Sequence, residues 1–353
     1  MTNERSRSVS RRSVLTTIGA GAAAGLAGCM GGDGDGEDTT TSGGGDGGED
    51  LGDSMTIFHA GSLEPPFGAA ETEFEDEYDV QVNREAKGSV ASTKKITQQG
   101  RWADVLGVSD FRLLRNRLLP DKGDWYAIFT TNAMSLAYRP GAPGADEISK
   151  DNWWEVLSRD DVTIGHSDPA VDPGGYRAVM AQQLGSIPFD GSKLYDDATY
   201  QKMRENSTVP TGTEINLKSQ LKTKKLDYAF YYQSIASTSE GLEFVDLQPE
   251  VDLSKATSTY AKHYAKAKVE AGDSTYTGAP IAYGVTVPGN AKHPGLGARW
   301  VEYMITEPGK EILRNKGLQP VETAVVPKSG KDSVPDRVMQ NAEAKENLGP
   351  LEL

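Results

Sequence analysis

The chain of 353 residues has a single cysteine, Cys29, and only four histidines. One cysteine excludes an internal disulfide and any cysteine-ligated metal cluster. His59, His166, His263 and His293 show no H-E-x-x-H or other tight spacing, so the sequence offers no helix-borne zinc site. It also contains no G-x-x-x-x-G-K-S/T and no G-x-S-x-G, the signatures of a phosphate-cradling loop and of a hydrolase nucleophile elbow. Positive charge is scarce: 37 Lys and Arg stand against 51 Asp and Glu, a net charge of −14. Binding nucleic acid takes clustered Lys and Arg, so no nucleic-acid partner is expected.

No apolar run is long or pure enough to be read as a membrane span. The nearest is SRRSVLTTIGAGAAAGLAGC, in which Arg11 and Arg12 precede a weakly apolar stretch. Paired arginines before such a stretch resemble a Tat export signal. Leu26-Ala27-Gly28-Cys29 looks like a lipobox, so residues 1–28 are read as a lipoprotein signal and Cys29 as the lipidated residue. Residues 29–50 are rich in glycine and acid and nearly free of apolar side chains, which predicts a flexible tether rather than a core. Four arginines and one glutamate give the signal +3, which leaves the mature chain near −17; the tether holds −7 of that. About −10 remains on the folded part, a surface that suits an exported protein of a salt-loving prokaryote.

The remaining stretch, 51–353, fits one large domain or two lobes. Short apolar runs alternate with helix-like stretches: MTIFHA, VQVNREA, ADVLGVS, WYAIFTTNAMSLAYRP, VTIGHSD, LDYAFYYQS and IAYGVTVPG read as strands. LGARWVEYMITEPGKEILRNKG places Trp300, Val301, Met304 and Ile305 on one helical face. Alternation of this kind predicts an α/β fold with parallel sheets. The conspicuous polar residues sit where strands end, the edge at which open α/β sheets bind ligands.

Ser62 in HAGSL and Ser89 in KGSVAS each follow a strand and open a helix. Their hydroxyls can donate to an oxyanion beside free backbone N–H groups, or simply cap the helices. Asp172 precedes Pro173 and Gly174 at a third helix start, where an N-cap is equally natural. Tyr231 and Tyr232 form a tandem pair before Gln233 and Ser234; their phenols can donate to an oxyanion or, ionised, bind ferric iron. Carboxylates such as Asp172 and Glu214 would repel sulfate or phosphate. They make sense beside an anion only if a cation, or an electrophilic metal within the oxyanion, accepts their oxygens. Hydrolysis through Ser62 or Ser89 and plain surface adhesion are the readings from other classes.

FHAGSL, NREAKGSVASTKKI, ADVLGVSDF, DWYAIFTTNAMSLAY, NWWEVLSRDDVTIGHSDPAVDPGGYR, LDYAFYYQSIAS and PIAYGVTVPGNAKHPGLGARWVEYMI resemble the archaeal molybdate/tungstate-binding proteins of ABC importers. The resemblance spans residues 55 to about 326. It implies the two-lobed type II periplasmic-binding-protein fold, with lobe 1 from 51–134 plus 285–353 and lobe 2 from 135–284. It implies an oxyanion site of Gly61, Ser62, Ser89, Asp172, Pro173, Gly174, Glu214 and Tyr232. There, Asp172 and Glu214 would complete six-coordination of the tungsten or molybdenum, which sulfur in sulfate does not accept. It further implies no enzymatic activity, no resident cofactor, a monomer anchored on the outer face of the cytoplasmic membrane, and ABC permease and ATPase subunits as partners. The chain departs from the family in reading VDP where DDP is frequent, in Gly174 where cysteine is common, and in a shorter 187–213 segment.

Overall fold

The computed structural model describes residues 52–210 and 212–352. The signal at 1–28, Cys29 and the tether at 29–50 lie outside the described residues. Among the described residues no helix is long and apolar enough to cross a membrane.

Fourteen strands are described: β1 (Ser54–Ala60), β2 (Gln81–Lys87), β3 (Val105–Val108), β4 (Ala127–Thr131), β5 (Met134–Tyr138), β6 (Ile164–Gly165) and β7 (Ser207–Thr208), then β8 (Tyr228–Tyr232), β9 (Glu243–Asp246), β10 (Lys268–Ala271), β11 (Ser274–Thr277), β12 (Ala282–Thr286), β13 (Gln319–Pro327) and β14 (Ala342–Lys345). They build a seven-stranded sheet in the order β14-β13-β4-β12-β3-β1-β2, a five-stranded sheet β7-β6-β8-β5-β9, and the hairpin β10-β11. The chain passes from the first sheet to the second between Thr131 and Met134; it leaves the second sheet after Asp246 and, by way of the hairpin, re-enters the first at Ala282.

The sheets are mixed, as the expected fold class of mixed or parallel sheets flanked by helices allows, although strand–helix alternation alone points to parallel order. β1 runs parallel to β2 and β3, and β6 parallel to β7 and β8. β12 lies antiparallel to both β3 and β4, and β5 antiparallel to β8 and β9. The two crossings explain this. A chain re-entering a sheet at the end where its neighbours finish must run against them, and local alternation of strand and helix carries no trace of such long-range steps.

Burial explains the strand sequences. β3, β5, β8 and β12 are buried along their whole length and are accordingly short apolar runs. β2, at a sheet edge, carries Arg84, Glu85 and Lys87, charges that discourage further strand pairing. Helix Glu64–Tyr78 packs against helix Pro294–Ile305 through edge-on aromatic contacts, Phe67 to Trp300 at 5.4 Å and Phe74 to Trp300 at 5.0 Å. Full burial of one such phenylalanine stabilises the fold by about 2 kcal/mol. The single helical face expected over 296–317 is in fact two helices, Pro294–Ile305 and Glu307–Asn315. Thr306 between them is extended, with ψ 176°, and Pro308 suits only a first turn, so a new helix starts there.

Candidate functional site

β1, β2 and β3 end on the same edge of the first sheet, and each hands the chain to a polar loop. After β1 comes the turn Gly61–Leu63; after β2, Gly88 and the helix Ser89–Thr97; after β3, Ser109 and Asp110. The second sheet contributes residues 166–172 after β6, which lead into the helix Pro173–Gly185. It also contributes the turn Glu214–Asn216 and Tyr232, the last residue of β8.

These loops meet. Ser62, Ser89, Asp172, Glu214 and Tyr232 are all at most 2% exposed. The Ser62 N–H donates to Glu214 Oε1 at 3.0 Å, the Glu214 N–H to Asp172 Oδ2 at 3.2 Å, and the Ala91 N–H to Val171 O at 3.2 Å. The first and third of these bonds join the two lobes. Two glycines permit the approach. A Cβ on Gly88 would lie 2.3 Å from Val171 O, and one on Gly61 would lie 2.9 Å from the Glu214 carboxylate. The Gly88 contact is with backbone and is prohibitive, so glycine is required there by close approach rather than by an unusual φ, whereas a side chain at 61 would have to displace the Glu214 carboxylate. Gly174 faces Ser167 Oγ and the Tyr232 ring, which puts Pro173 and Gly174 at the same place.

The capping alternatives separate cleanly. Neither Ser62 nor Ser89 caps a helix through its side chain. Asp172 does: Oδ1 accepts from the Gly174 N–H at 3.0 Å. Asp172 is thus both an N-cap and a member of the cluster.

The hydroxyls share a polarity. A hydroxyl has one proton to give, and a partner that fills its acceptor side leaves that proton for something else. Ser62 Oγ accepts from Tyr283 Oη at 2.8 Å, and Tyr283 accepts from Asn132 Nδ2 at 3.0 Å. Ser89 Oγ accepts from the Ser109 N–H at 3.0 Å and contacts Ser109 Oγ at 3.1 Å. Tyr232 Oη accepts from the Arg177 guanidinium at 2.7 Å and can donate to Ser109 Oγ at 3.3 Å. Burial raises both phenols, Tyr283 to about 12 and Tyr232 further, so each keeps its proton. The arrangement can present several O–H donors to one anion.

The carboxylates are less alike. Burial raises Asp172 to about 7, and the Gly174 N–H and the charge of Arg177 only partly offset this. Glu214 Oε2 is buried and has no hydrogen-bond partner. A buried carboxylate oxygen left unpaired is costly, and such an oxygen is a ready ligand for an electrophile.

Tyr231 is spent on support, since its hydroxyl donates to Glu214 O at 2.5 Å and accepts from the Lys218 N–H at 3.0 Å. His59 and His166 each donate Nδ1–H to a neighbouring carbonyl, Ala60 O and Ser167 O, both at 2.8 Å. Burial lowers His59 to about 4 and pushes His166 down as well, so both brace the loops as neutral rings. The hydroxyls of Ser62 and Ser89 bond to Tyr283 and Ser109 rather than to imidazole.

Four residues of the cluster are not legible in the sequence: Asn132, Ser109, Arg177 and Tyr283. Tyr283 is hidden in an apolar strand and Asn132 in a crossing. Arg177 left one signal, a lone cation early in an otherwise neutral helix, where the macrodipole disfavours it.

The likenesses of the chain agree with this architecture. It is 38% identical over 316 residues to a solute-binding protein of Methanoculleus marisnigri, covering 82% of this chain and 87% of that one. It is 31% identical over 318 residues to the molybdate/tungstate-binding protein WtpA of Pyrococcus abyssi, covering 83% and 90%. In fold it resembles the periplasmic molybdate-binding protein of Azotobacter vinelandii (TM-score 0.53, 13% identity, 75% of this chain and 98% of that one). The sulfate-binding protein SubI of Mycobacterium tuberculosis is similar to the same degree (TM-score 0.53, 15% identity, 81% and 92%). The fold is that of the two-lobed periplasmic binding proteins. Residues 55–319 match the family described as bacterial extracellular solute-binding protein, and the chain belongs to that family.

Proposed function

We propose that this protein captures tungstate or molybdate outside the cell and hands it to the permease of an ABC importer, closing about a hinge as it binds. In this reading the hinge lies in the passages between the two sheets, which run from Thr131 to Met134 and from Asp246 back to Ala282. The oxyanion is cargo, held by O–H and N–H donors of Gly61, Ser62, Ser89, Tyr232 and the Pro173–Gly174 helix start. Asp172 and Glu214 ligate its metal. Cys29 carries the lipid, with more than one acyl chain for stable anchoring on the outer face of the membrane. The protein works as a monomer beside the permease and ATPase subunits.

The observation that carries the reading is the pair of buried carboxylates among hydroxyl donors. A site for sulfate, which has no proton to donate to a carboxylate, gains nothing from two acids. A site for a tetraoxyanion whose metal can expand its coordination gains two ligands. The name of the Pyrococcus relative points the same way.

Competitive calorimetry with tungstate, molybdate, sulfate and phosphate tests this. Tungstate and molybdate are expected to bind at least about 1,000-fold more tightly than sulfate, about 4 kcal/mol. Sulfate binding as tight as tungstate would sink the metal-ligation reading while leaving an oxyanion carrier in place. A coloured ferric complex in preference to any oxyanion would replace it with iron binding.

A further inference from the structure

The helix that starts at Asp172 carries a second polar group one turn further on, and this group faces the other lobe. Arg177 is 1% exposed. From the second lobe its guanidinium donates to Ser109 O of the first lobe at 2.7 Å and lies 3.5 Å from Asp110 Oδ2, also of the first lobe. The same Nη1 donates to Tyr232 Oη at 2.7 Å within its own lobe. Asp110 is gripped on other sides by Arg112 Nη2 at 2.7 Å and by the Tyr176 hydroxyl at 2.6 Å. Tyr176 in turn stacks on Tyr276 of the hairpin at 4.1 Å. Arg177 Nε has no hydrogen-bond partner. An arginine kept for fold stability alone is poorly placed here, because a buried, incompletely paired guanidinium is a net cost that apolar packing would avoid.

We propose that Arg177 is a positioning residue that couples lobe closure to the donor polarity of Tyr232. This inference rests on the oxyanion-capture reading above. Its contacts with Ser109 and Asp110 exist only when the lobes meet. Once in place, Arg177 fills the acceptor side of the Tyr232 oxygen, so the one phenolic proton is turned away from the helix, to Ser109 Oγ without ligand and to the anion when it binds. An open cleft would leave the guanidinium free to swing and Tyr232 free to act as acceptor, the wrong polarity for an anion. Lysine cannot replace it, since a single ammonium does not hold Ser109 O and Tyr232 Oη while a second nitrogen of the same plane faces Asp110, as the guanidinium does.

A double-mutant cycle on tungstate dissociation from the full chain tests the coupling. Arg177→Met is expected to speed dissociation about 100-fold, and Tyr232→Phe about 30-fold. In the double variant, Tyr232→Phe should add no more than about threefold, because the phenol without its arginine is no longer a committed donor. Arg177→Lys should not rescue. Should Arg177→Met fail to fold, the cycle is run with Arg177→Lys in its place. Asp110→Asn, which keeps the shape of the latch, should speed dissociation about tenfold with association within about threefold of wild type. Additive effects in the cycle, or full rescue by lysine, overturn the assignment of Arg177 while leaving oxyanion capture intact. A wild-type protein that binds none of tungstate, molybdate, sulfate or phosphate overturns both.

Discussion

The two loops that bring acid into the site, 166–172 and 212–216, solve the same problem in different ways. Asp172 has both carboxylate oxygens engaged, Oδ1 by the Gly174 N–H and Oδ2 by the Glu214 N–H. Glu214 has one oxygen on the Ser62 N–H of the opposite lobe and the other on nothing. Asp172 is therefore built into its own lobe as a helix cap, whereas Glu214 reaches across. Depth of burial, equal for both, does not foretell which acid is available to a ligand; the bonding of each oxygen does. Glu214 can ligate a metal at the cost of no existing bond. Asp172 offers only the lone pairs that its two backbone bonds leave, each oxygen being already held in one direction.

The largest expected effect follows from that inequality. Glu214→Gln keeps an acceptor for Ser62 and removes the charge. Tungstate affinity should fall about 100-fold, near 3 kcal/mol, while sulfate affinity rises. Calorimetry on both anions checks this. Equal loss for tungstate and sulfate would mean that Glu214 only props the loop. Asp172→Asn should weaken tungstate about tenfold; its amide oxygen keeps the helix cap, since asparagine is as good an N-cap as aspartate, but its amide nitrogen cannot accept from the Glu214 N–H as Oδ2 does. A loss larger than that of Glu214→Gln would reverse the ranking.

Titration sharpens the contrast. Burial, the dominant cause, raises Asp172 from an ordinary carboxylate value to about 7 in the folded protein. A raised carboxyl favours folding while protonated. Its contribution is full below about pH 4 and is lost as pH rises to about 7, since the folded state binds more protons across that window. Denaturant unfolding of the ligand-free protein at several pH values should show this decline, and Asp172→Asn should flatten it. Metal ligation needs the ionised form, so tungstate affinity should weaken by up to about tenfold per pH unit below about pH 7. Sulfate, which is repelled by that charge, should bind more tightly over the same range. Parallel pH profiles for the two anions would break the distinction between them.

How much of this was legible beforehand also divides along bonding lines. The strand-end positions of Ser62, Ser89 and Tyr232 follow from local patterning, since an apolar run closed by Gly-Ser or Tyr-Gln marks a strand leaving its sheet. The N-cap at Asp172 follows from Asp-Pro-Gly in the same way. Tyr283 and Asn132 do not, because each acts through a residue about 150 or more positions away in the chain, as the bonds from Asn132 to Tyr283 and from Tyr283 to Ser62 show. The antiparallel placement of β12 is hidden for the same reason. Local sequence reports local geometry, and the second-rank residues of this site are fixed by the crossing topology.

The smallest effect concerns the scaffold under Glu214 alone. Tyr231 Oη donates to the Glu214 carbonyl and accepts from the Lys218 N–H, and it has no bond to the Asp172 loop. Tyr231→Phe removes both bonds without touching any proposed ligand. It should cost about 1 kcal/mol of stability. Tungstate affinity should fall only about threefold, because the turn can still be held by the bonds of Glu214 to Ser62 and Asp172. The informative quantity is how this change combines with the two acids. Added to Glu214→Gln it should cost no further tungstate affinity, since the carboxylate it steadies no longer ligates. Added to Asp172→Asn it should cost its full threefold. Were the loss to disappear on the Asp172→Asn background instead, the tyrosine would be serving the helix cap, and the difference in role between the two acids would be lost with it.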